Sequence, residues 1–69
     1  MSTEPTRAEA RVLDYVARGK SNKEIARALV IEVGTVKRHL FNVYPKLGAR
    51  NRTQAALIWR RRSELREVA

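Results

Sequence analysis

The hydrophobic positions between residues 35 and 47 fall on one side of a predicted helix. Five apolar residues follow the i, i+4, i+7, i+8, i+11 spacing of a buried stripe, namely Val36, Leu40, Val43, Tyr44 and Leu47. The opposite side and its flank carry Lys37, Arg38, Phe41, Asn42 and Pro45. A helix that only had to be soluble would show mixed charge on that side. We therefore expect a binding partner to cover this outer face.

The same periodicity and the helix-start signals predict four helices. The expected helices are α1 at about 7–18, α2 at about 22–29, α3 at about 33–47 and α4 at about 52–67. Thr6 with Glu9, and Ser21 with Glu24, have the Ser/Thr-x-x-Glu spacing of a capping box. These two pairs predict where α1 and α2 begin. No segment alternates like a strand, so the fold class is all-α.

Glycines mark the predicted helix ends. Gly19 and Gly48 follow α1 and α3, where a left-handed residue commonly ends a helix. Residues 1–5 are polar and are expected to be a disordered lead-in or a linker, which places the domain at 6–67. Part of α4 should join a core made of Val12, Leu13, Val16, Ile25, Ala26, Leu29, Ile31, Val36, Leu40, Val43 and Leu47.

Length and composition limit the class of protein. A chain of 69 residues is one small domain, and a domain of that size buries only about 60% of its unfolded surface. The chain has no cysteine, which excludes disulfides and thiolate metal sites. No apolar run approaches the roughly 18 residues of a membrane span, and the N-terminus lacks a secretory signal. We expect a cytoplasmic protein with no membrane partner.

The charge balance points to a polyanion. Fifteen Lys/Arg residues against seven Asp/Glu residues give a net charge of +8. This favours nucleic acid as partner, with an anionic membrane surface second and a basic surface kept for solubility as the plain alternative. The single histidine has no nucleophile partner, and neither a metal-ligand cluster nor a phosphate-binding glycine loop is visible. We expect no enzyme activity, no cofactor and no metal.

The helix order is typical of a helix-turn-helix protein. Two short capped helices precede a longer one, with a turn of about four residues between the second and third. A helical bundle without a groove-binding role would show the same stripes. If the partner is DNA, Lys37 and Arg38 can donate to guanine O6 and N7, and Phe41 can touch thymine methyl groups. Asn42 can read adenine or bridge to a phosphate.

Two helix starts are candidate phosphate sites. A helix N-terminus carries free N–H groups and a partial positive charge, so the start of α2 at Asn22 and Lys23 suits a phosphate. Gly34 and Thr35 open α3. Because Gly34 has no side chain, the backbone there can approach a phosphate closely.

Three stretches carry a family resemblance: "TRAEARVL" at 6–13, "SNKEIARAL" at 21–29 and "GTVKRHLFNVYPKLGARNRTQA" at 34–55. Together they closely resemble the LuxR-type, or GerE-like, helix-turn-helix domain, the DNA-binding output domain of many bacterial regulators, response regulators included. The match runs from about Thr6 to Leu57. One such motif would be weak evidence, whereas three in register are specific. The resemblance implies a four-helix domain in which α3 is the recognition helix.

The resemblance also implies roles for particular residues. Lys37, Arg38 and the position of Phe41 would face base edges. The residues near phosphates would be Ser21, Asn22, Lys23, Thr35, Lys46 and Arg52. His39 matches the family's histidine and would serve packing or a phosphate contact. In α4, the family's usual dimer contact, Thr53 and Leu57 match the positions where that contact is made.

The expected function is therefore sequence-specific binding of double-stranded DNA by a homodimer on an inverted repeat. RNA polymerase is a further candidate partner. The family normally carries an input domain ahead of the helix-turn-helix. The residues before Thr6 are too few for one, so the chain is expected to be an excised fragment or a free-standing regulator.

Two other functions stay open at this point. A sigma-factor region-4-like module would bind promoter DNA without a two-fold dimer. A basic protein–protein module would use Phe41 and the arginine-rich tail to dock an acidic partner. Trp59 is expected in the core or in dimer packing. The run 60–62 is either a solvated helix end or a source of non-specific phosphate attraction.

Three residues depart from the family pattern. Val30 stands where the family usually has glycine, and a β-branched residue at positive φ would cost about 1–3 kcal/mol, so we expect a shifted turn. Glu32 replaces the serine that usually caps α3, and glutamate is a poor N-cap. Pro45 removes the helical hydrogen bond to the Phe41 carbonyl, which predicts a bend at 41–45 and not a break.

Overall fold

The computed structural model describes residues 4–68 of the chain, and the first three residues of the expected lead-in lie outside this range. The described residues form four α-helices and no strand: α1 (Arg7–Ala17), α2 (Asn22–Leu29), α3 (Val33–Leu47) and α4 (Arg52–Val68). The predicted all-α fold is confirmed. Every predicted helix boundary lies within one residue of the observed one.

The first two helices begin with capping boxes. The Glu9 N–H donates to Thr6 Oγ1 at 3.1 Å, and the Thr6 N–H donates to Glu9 Oε1 at 2.9 Å. The same reciprocal bonds join Ser21 and Glu24 at 3.1 and 2.8 Å. Both capping-box predictions are confirmed. α3 differs, because its N-cap residue Glu32 makes no side-chain cap bond.

Three residues in the described range have left-handed backbone conformations. Gly19 and Gly48 do so at φ values of 80° and 73°, as predicted for helix ends. Val30 does so too, at a φ of 56°. The expectation that the turn would shift to avoid this strain was therefore wrong.

Hydrogen bonding explains why the turn at Val30 is retained. The Ile31 N–H donates to the Ala26 carbonyl at 3.0 Å and the Val30 N–H donates to the Arg27 carbonyl at 3.4 Å, which is the Schellman pattern of a helix end. Ile31 also packs against the core. The Val30 side chain is 88% exposed, so its branched Cβ meets solvent and not packed neighbours. A shifted turn would lose both bonds and the burial of Ile31.

The core forms where α1 packs against both α3 and α4 and α2 packs against α3. Its buried residues are Val12, Leu13, Val16, Ile25, Ala26, Val36, Leu40, Val43, Ala49, Ala55 and Trp59. Of the predicted core, Leu29, Ile31 and Leu47 are only partly buried. Ala49, which follows the end of α3, was not among the predicted core residues and is also buried. Trp59 lies in the core, where its Nε1 donates to Asp14 Oδ1 at 2.7 Å.

Pro45 does not interrupt α3. The helix continues to Leu47, so the predicted absence of a break is confirmed, while the bend stays a prediction. Both Pro45 and Phe41 are exposed. Within the described residues, no helix has the length and the apolar content needed to cross a membrane.

Candidate nucleic-acid interface

The outer face of α3 follows from the packing of its inner face. Val36 and Val43 are fully buried and Leu40 is 5% exposed, which fixes the rotation of the helix on the core. The five residues of the predicted outer face lie away from this buried stripe and are all exposed: Lys37, Arg38, Phe41, Asn42 and Pro45. Phe41 is 80% exposed, so a large aromatic ring meets solvent among these polar side chains. The predicted exposure of this face is confirmed, while its contact with bases stays a prediction.

The start of α2 is a second exposed polar region. Ser21 and Lys23 are exposed and Asn22 is half-buried. The Ser21 N–H donates to the Glu24 carboxylate at 2.8 Å, and this bond is the main cause that holds the pKa of Glu24 below its ordinary value. The cap is therefore made within the chain, while Lys23 is exposed and the first backbone N–H groups of α2 have no partner within the helix.

The start of α3 lies at the surface. Gly34 is exposed, and a Cβ added there would have no heavy atom within 4 Å. The fold itself therefore does not require glycine at this position. Thr35 is half-buried, and its N–H donates to the carbonyl of Glu32 at 3.0 Å. The Glu32 side chain is exposed and places a negative charge beside this helix start.

Lys46, one of the predicted phosphate cations, has a partner within the chain. Its Nζ lies 2.7 Å from Glu9 Oε1, and the two side chains are 24% and 5% exposed. Burial raises the pKa of Glu9, but the bonds from Lys46 and from the Thr6 backbone outweigh it, so the pKa lies below its ordinary value. Glu9 was predicted only as a cap. The pairing joins residues 37 apart, and local sequence patterns contain no signal for it.

Arg52, another predicted phosphate cation, also reaches across the fold. Its Nη1 donates to Asn22 Oδ1 at 2.7 Å, and its Nη2 donates to the Lys20 carbonyl. The first residue of α4 is thereby joined to the start of α2. Whether Lys46 or Arg52 also touches phosphate stays a prediction.

His39 lies on another side of α3 from Phe41. It is half-buried and lines a small cavity of about 100 Å³ together with Ala8, Arg11 and Val12 of α1, and with Leu29 and Ile31. Two residues along a helix correspond to a rotation of about 200°. The histidine therefore faces α1, and its contact with a phosphate stays a prediction.

The two residues predicted for the dimer contact lie on the exposed side of α4. Thr53 and Leu57 are both exposed, Leu57 by 59%. They line a shallow cleft of about 350 Å³ against the end of α1. Arg60 donates to the Ala17 carbonyl at 2.8 Å and Arg62 to Glu4 at 3.3 Å, so these two arginines are more than a solvated helix end.

The fold and its exposed polar face define a helix-turn-helix domain of the DNA-binding, transcription-regulating class. Residues 6–59 match the family model described as bacterial regulatory proteins, luxR family. The chain belongs to this family, which is a class of regulators and not of enzymes.

Curated relatives support the same class. The chain is 58% identical over 52 residues to the uncharacterized transcriptional regulatory protein YhcZ of Bacillus subtilis, covering 75% of this chain and 24% of the relative. It is 48% identical over 50 residues to the CsgBAC operon transcriptional regulatory protein of Escherichia coli, covering 72% and 23%. It is 44% identical over 52 residues to the response regulator protein VraR of Staphylococcus aureus, covering 75% and 25%. The chain thus spans about a quarter of the length of these relatives.

Proposed function

We propose that this chain binds double-stranded DNA sequence-specifically, with α3 in the major groove, as a homodimer on an inverted repeat. The observation that carries the proposal is the outer face of α3, where donors, an amide and an aromatic ring are exposed on a helix whose other side is buried. Half-sites about one helical turn apart follow from a two-fold dimer of helix-turn-helix domains.

Base recognition comes from the chemistry of that face. Lys37 and Arg38 donate to guanine O6 and N7, and Asn42 pairs with adenine or bridges to a phosphate. Phe41 contacts thymine methyl groups, a use that fits its 80% exposure. A role as the output domain of a longer regulator agrees with the similarity to a response regulator.

Phosphate contacts supply most of the affinity. Lys23 and the start of α2 neutralise one stretch of backbone, while Gly34 and Thr35 approach another. The net charge of +8 supports this sequence-independent attraction. Each phosphate neutralised should contribute about −0.9 to the slope of log binding constant against log salt concentration.

The dimer forms through α4 of two copies. Thr53 and Leu57 are exposed one turn apart, and Leu57 offers an apolar contact to its symmetry mate. An isologous contact of this kind places two recognition helices about a two-fold axis, as an inverted repeat requires.

The direct test is a selection of bound duplexes from a random library at moderate salt. A two-fold symmetric motif would support both specific reading and the dimer. A single unrepeated motif would contradict the dimer and favour a monomeric promoter-binding mode. Sequence-independent binding alone would contradict base reading, and no binding to any duplex at low salt would favour a protein partner.

Two variants separate reading from phosphate attraction. Arg38→Ala should weaken binding to the selected duplex by about 1–3 kcal/mol and relax base preference at one position. Lys23→Gln, the matched control, should weaken all duplexes alike and reduce the salt slope by about one unit. An unchanged preference among operator variants in Arg38→Ala would show that the reading face is misassigned.

Gly34 allows a test of whether the backbone at the start of α3 comes close to a phosphate. Gly34→Ala adds a methyl group to open space in the free protein, and alanine favours the helix by about 1 kcal/mol. Stability measured by urea unfolding should hold or rise, whereas DNA affinity should fall. Unchanged affinity would mean that no phosphate approaches this residue.

A further inference from the structure

Arg52 makes two hydrogen bonds that bring the starts of two helices together. It is the first residue of α4 and is half-buried. Its Nη1 donates to Asn22 Oδ1 at 2.7 Å, across 30 positions of sequence, and its Nη2 donates to the carbonyl of Lys20. The guanidinium fork therefore holds the residues on either side of the Ser21 cap.

The chemistry of the fork determines the orientation of the Asn22 amide. A guanidinium only donates hydrogen bonds, so the group facing it must be the amide oxygen of Asn22. The amide nitrogen, with its two N–H donors, must then point elsewhere. Within residues 4–68 that nitrogen has no hydrogen-bond partner, and it lies next in sequence to the exposed Lys23.

We propose that Arg52 is a positioning residue for DNA binding: it holds Asn22 so that the amide nitrogen donates to a backbone phosphate, and it does not itself contact phosphate. This inference rests on the DNA binding proposed above. It reassigns Arg52, which the family resemblance places near phosphate, because Arg52 is half-buried and two of its five N–H donors already hold Asn22 and the Lys20 carbonyl.

The fork is a property of arginine that lysine lacks. Lysine keeps the charge but presents one ammonium group, so it cannot bond Asn22 and the Lys20 carbonyl in the same planar geometry. Arg52→Lys therefore separates two roles. A cation that contacts phosphate directly would be largely replaced by lysine, whereas a residue that positions Asn22 would not.

The experiment compares Arg52→Lys, Asn22→Ala and the double variant with the wild-type chain on the selected duplex over a series of salt concentrations. Each single variant should weaken binding about tenfold, the loss expected for one hydrogen bond to a charged group. The salt slope should stay unchanged, because no cation is removed. The double variant should bind no more weakly than either single variant, since Arg52 acts through Asn22.

Lys23→Gln is the control for a direct cation contact and should lower the salt slope by about one unit. Folding is checked by thermal unfolding, and affinities are referred to the active fraction found by stoichiometric titration. Asn22→Ala keeps the inference testable if Arg52→Lys does not fold. The side-chain amide signals of Asn22 in NMR should shift when duplex is added to the wild type, and should not shift in Arg52→Lys.

Two affinity results would overturn the assignment alone: wild-type affinity in Arg52→Lys, or additive losses in the double variant. An Asn22 side-chain amide signal that does not shift when duplex is added to the wild type would also overturn the assignment. Failure of the wild-type chain to bind any duplex would overturn the proposed function together with this assignment.

Discussion

α1 and α2 are well specified by their own sequence, whereas the segment that leads into and forms α3 is not. α1 and α2 each begin with two reciprocal cap bonds. The segment 30–45 contains a valine in a left-handed conformation, an N-cap glutamate without a cap bond and a proline inside the helix. Even so, α3 has 15 residues, nearly twice the length of α2.

The difference shows what holds the recognition helix. Short helices are marginal in water unless packing stabilises them. Val36, Leu40 and Val43 supply that packing, and the Lys46–Glu9 bond fixes the last turn of α3 to the start of α1. Val30, Glu32 and Pro45 are all exposed, so the unfavourable local choices lie on the solvent side. The proposed DNA-facing element thus depends on tertiary contacts more than its neighbours do.

The largest effect should come from the contact that ties α3 to α1. Glu9→Gln should lower the free energy of unfolding by about 2 kcal/mol, less than for a fully buried ion pair because Lys46 keeps 24% exposure. Urea unfolding measures this loss. Glu64→Gln, the same change at an exposed glutamate, should have little effect.

The same pair predicts a pH dependence. The pKa of Glu9 lies below the ordinary value of 4.5, so the folded chain binds fewer protons than the unfolded chain. The stability from Glu9 is therefore present above about pH 4.5 and is lost as pH falls through the folded pKa. Glu9→Gln should reduce this pH dependence of stability. Part of the dependence should remain, because the pKa of Glu24 is also lowered. An equal acid transition in wild type and Glu9→Gln would contradict the assignment.

The next effect concerns two helix ends that share a left-handed residue, Val30 after α2 and Gly48 after α3. Val30→Gly should raise the free energy of unfolding by about 1 kcal/mol, because relief of left-handed strain exceeds the added chain entropy of glycine. Gly48→Ala is the mirror experiment and should lower it by about 1 kcal/mol. A Cβ at Gly48 would have no heavy atom within 4 Å, so the backbone alone causes that loss. Midpoints of thermal or urea unfolding give both values, and a destabilised Val30→Gly would contradict the strain.

The smallest change in stability is expected at the start of α3, which can be compared with the capped start of α2. Glu32→Ser supplies the missing cap of α3 and should add about 0.5 kcal/mol to the free energy of unfolding. Ser21→Ala removes an existing cap from α2 and should cost about 1 kcal/mol. Loss of the Glu32 charge should also raise affinity for all duplexes alike. If Glu32→Ser changes neither stability nor affinity, the missing cap of α3 limits neither folding nor DNA binding.

Sequence reasoning predicted most of the fold. At the candidate site, only the exposure of the predicted side chains is confirmed. Helix starts follow from residues three apart, and helix ends follow from Gly19 and Gly48, so local patterns were sufficient there. The outer face of α3 followed from its apolar period. The predicted shift of the turn at Val30 was wrong. Local strain disfavours the left-handed valine, but two backbone hydrogen bonds and the burial of Ile31 keep the turn in place.

The sequence by itself determined the helices, the family and the identity of the face that looks outward, because caps, glycines and a 3.6-residue period act over a few neighbouring positions. Only the tertiary structure decided which distant residues Glu9, Asp14 and Arg52 bond to. Those bonds join residues 30 to 45 positions apart, and they form only when packing brings distant helices together. The charges of Lys46 and Arg52 are visible in the sequence, but what each one holds depends on the fold.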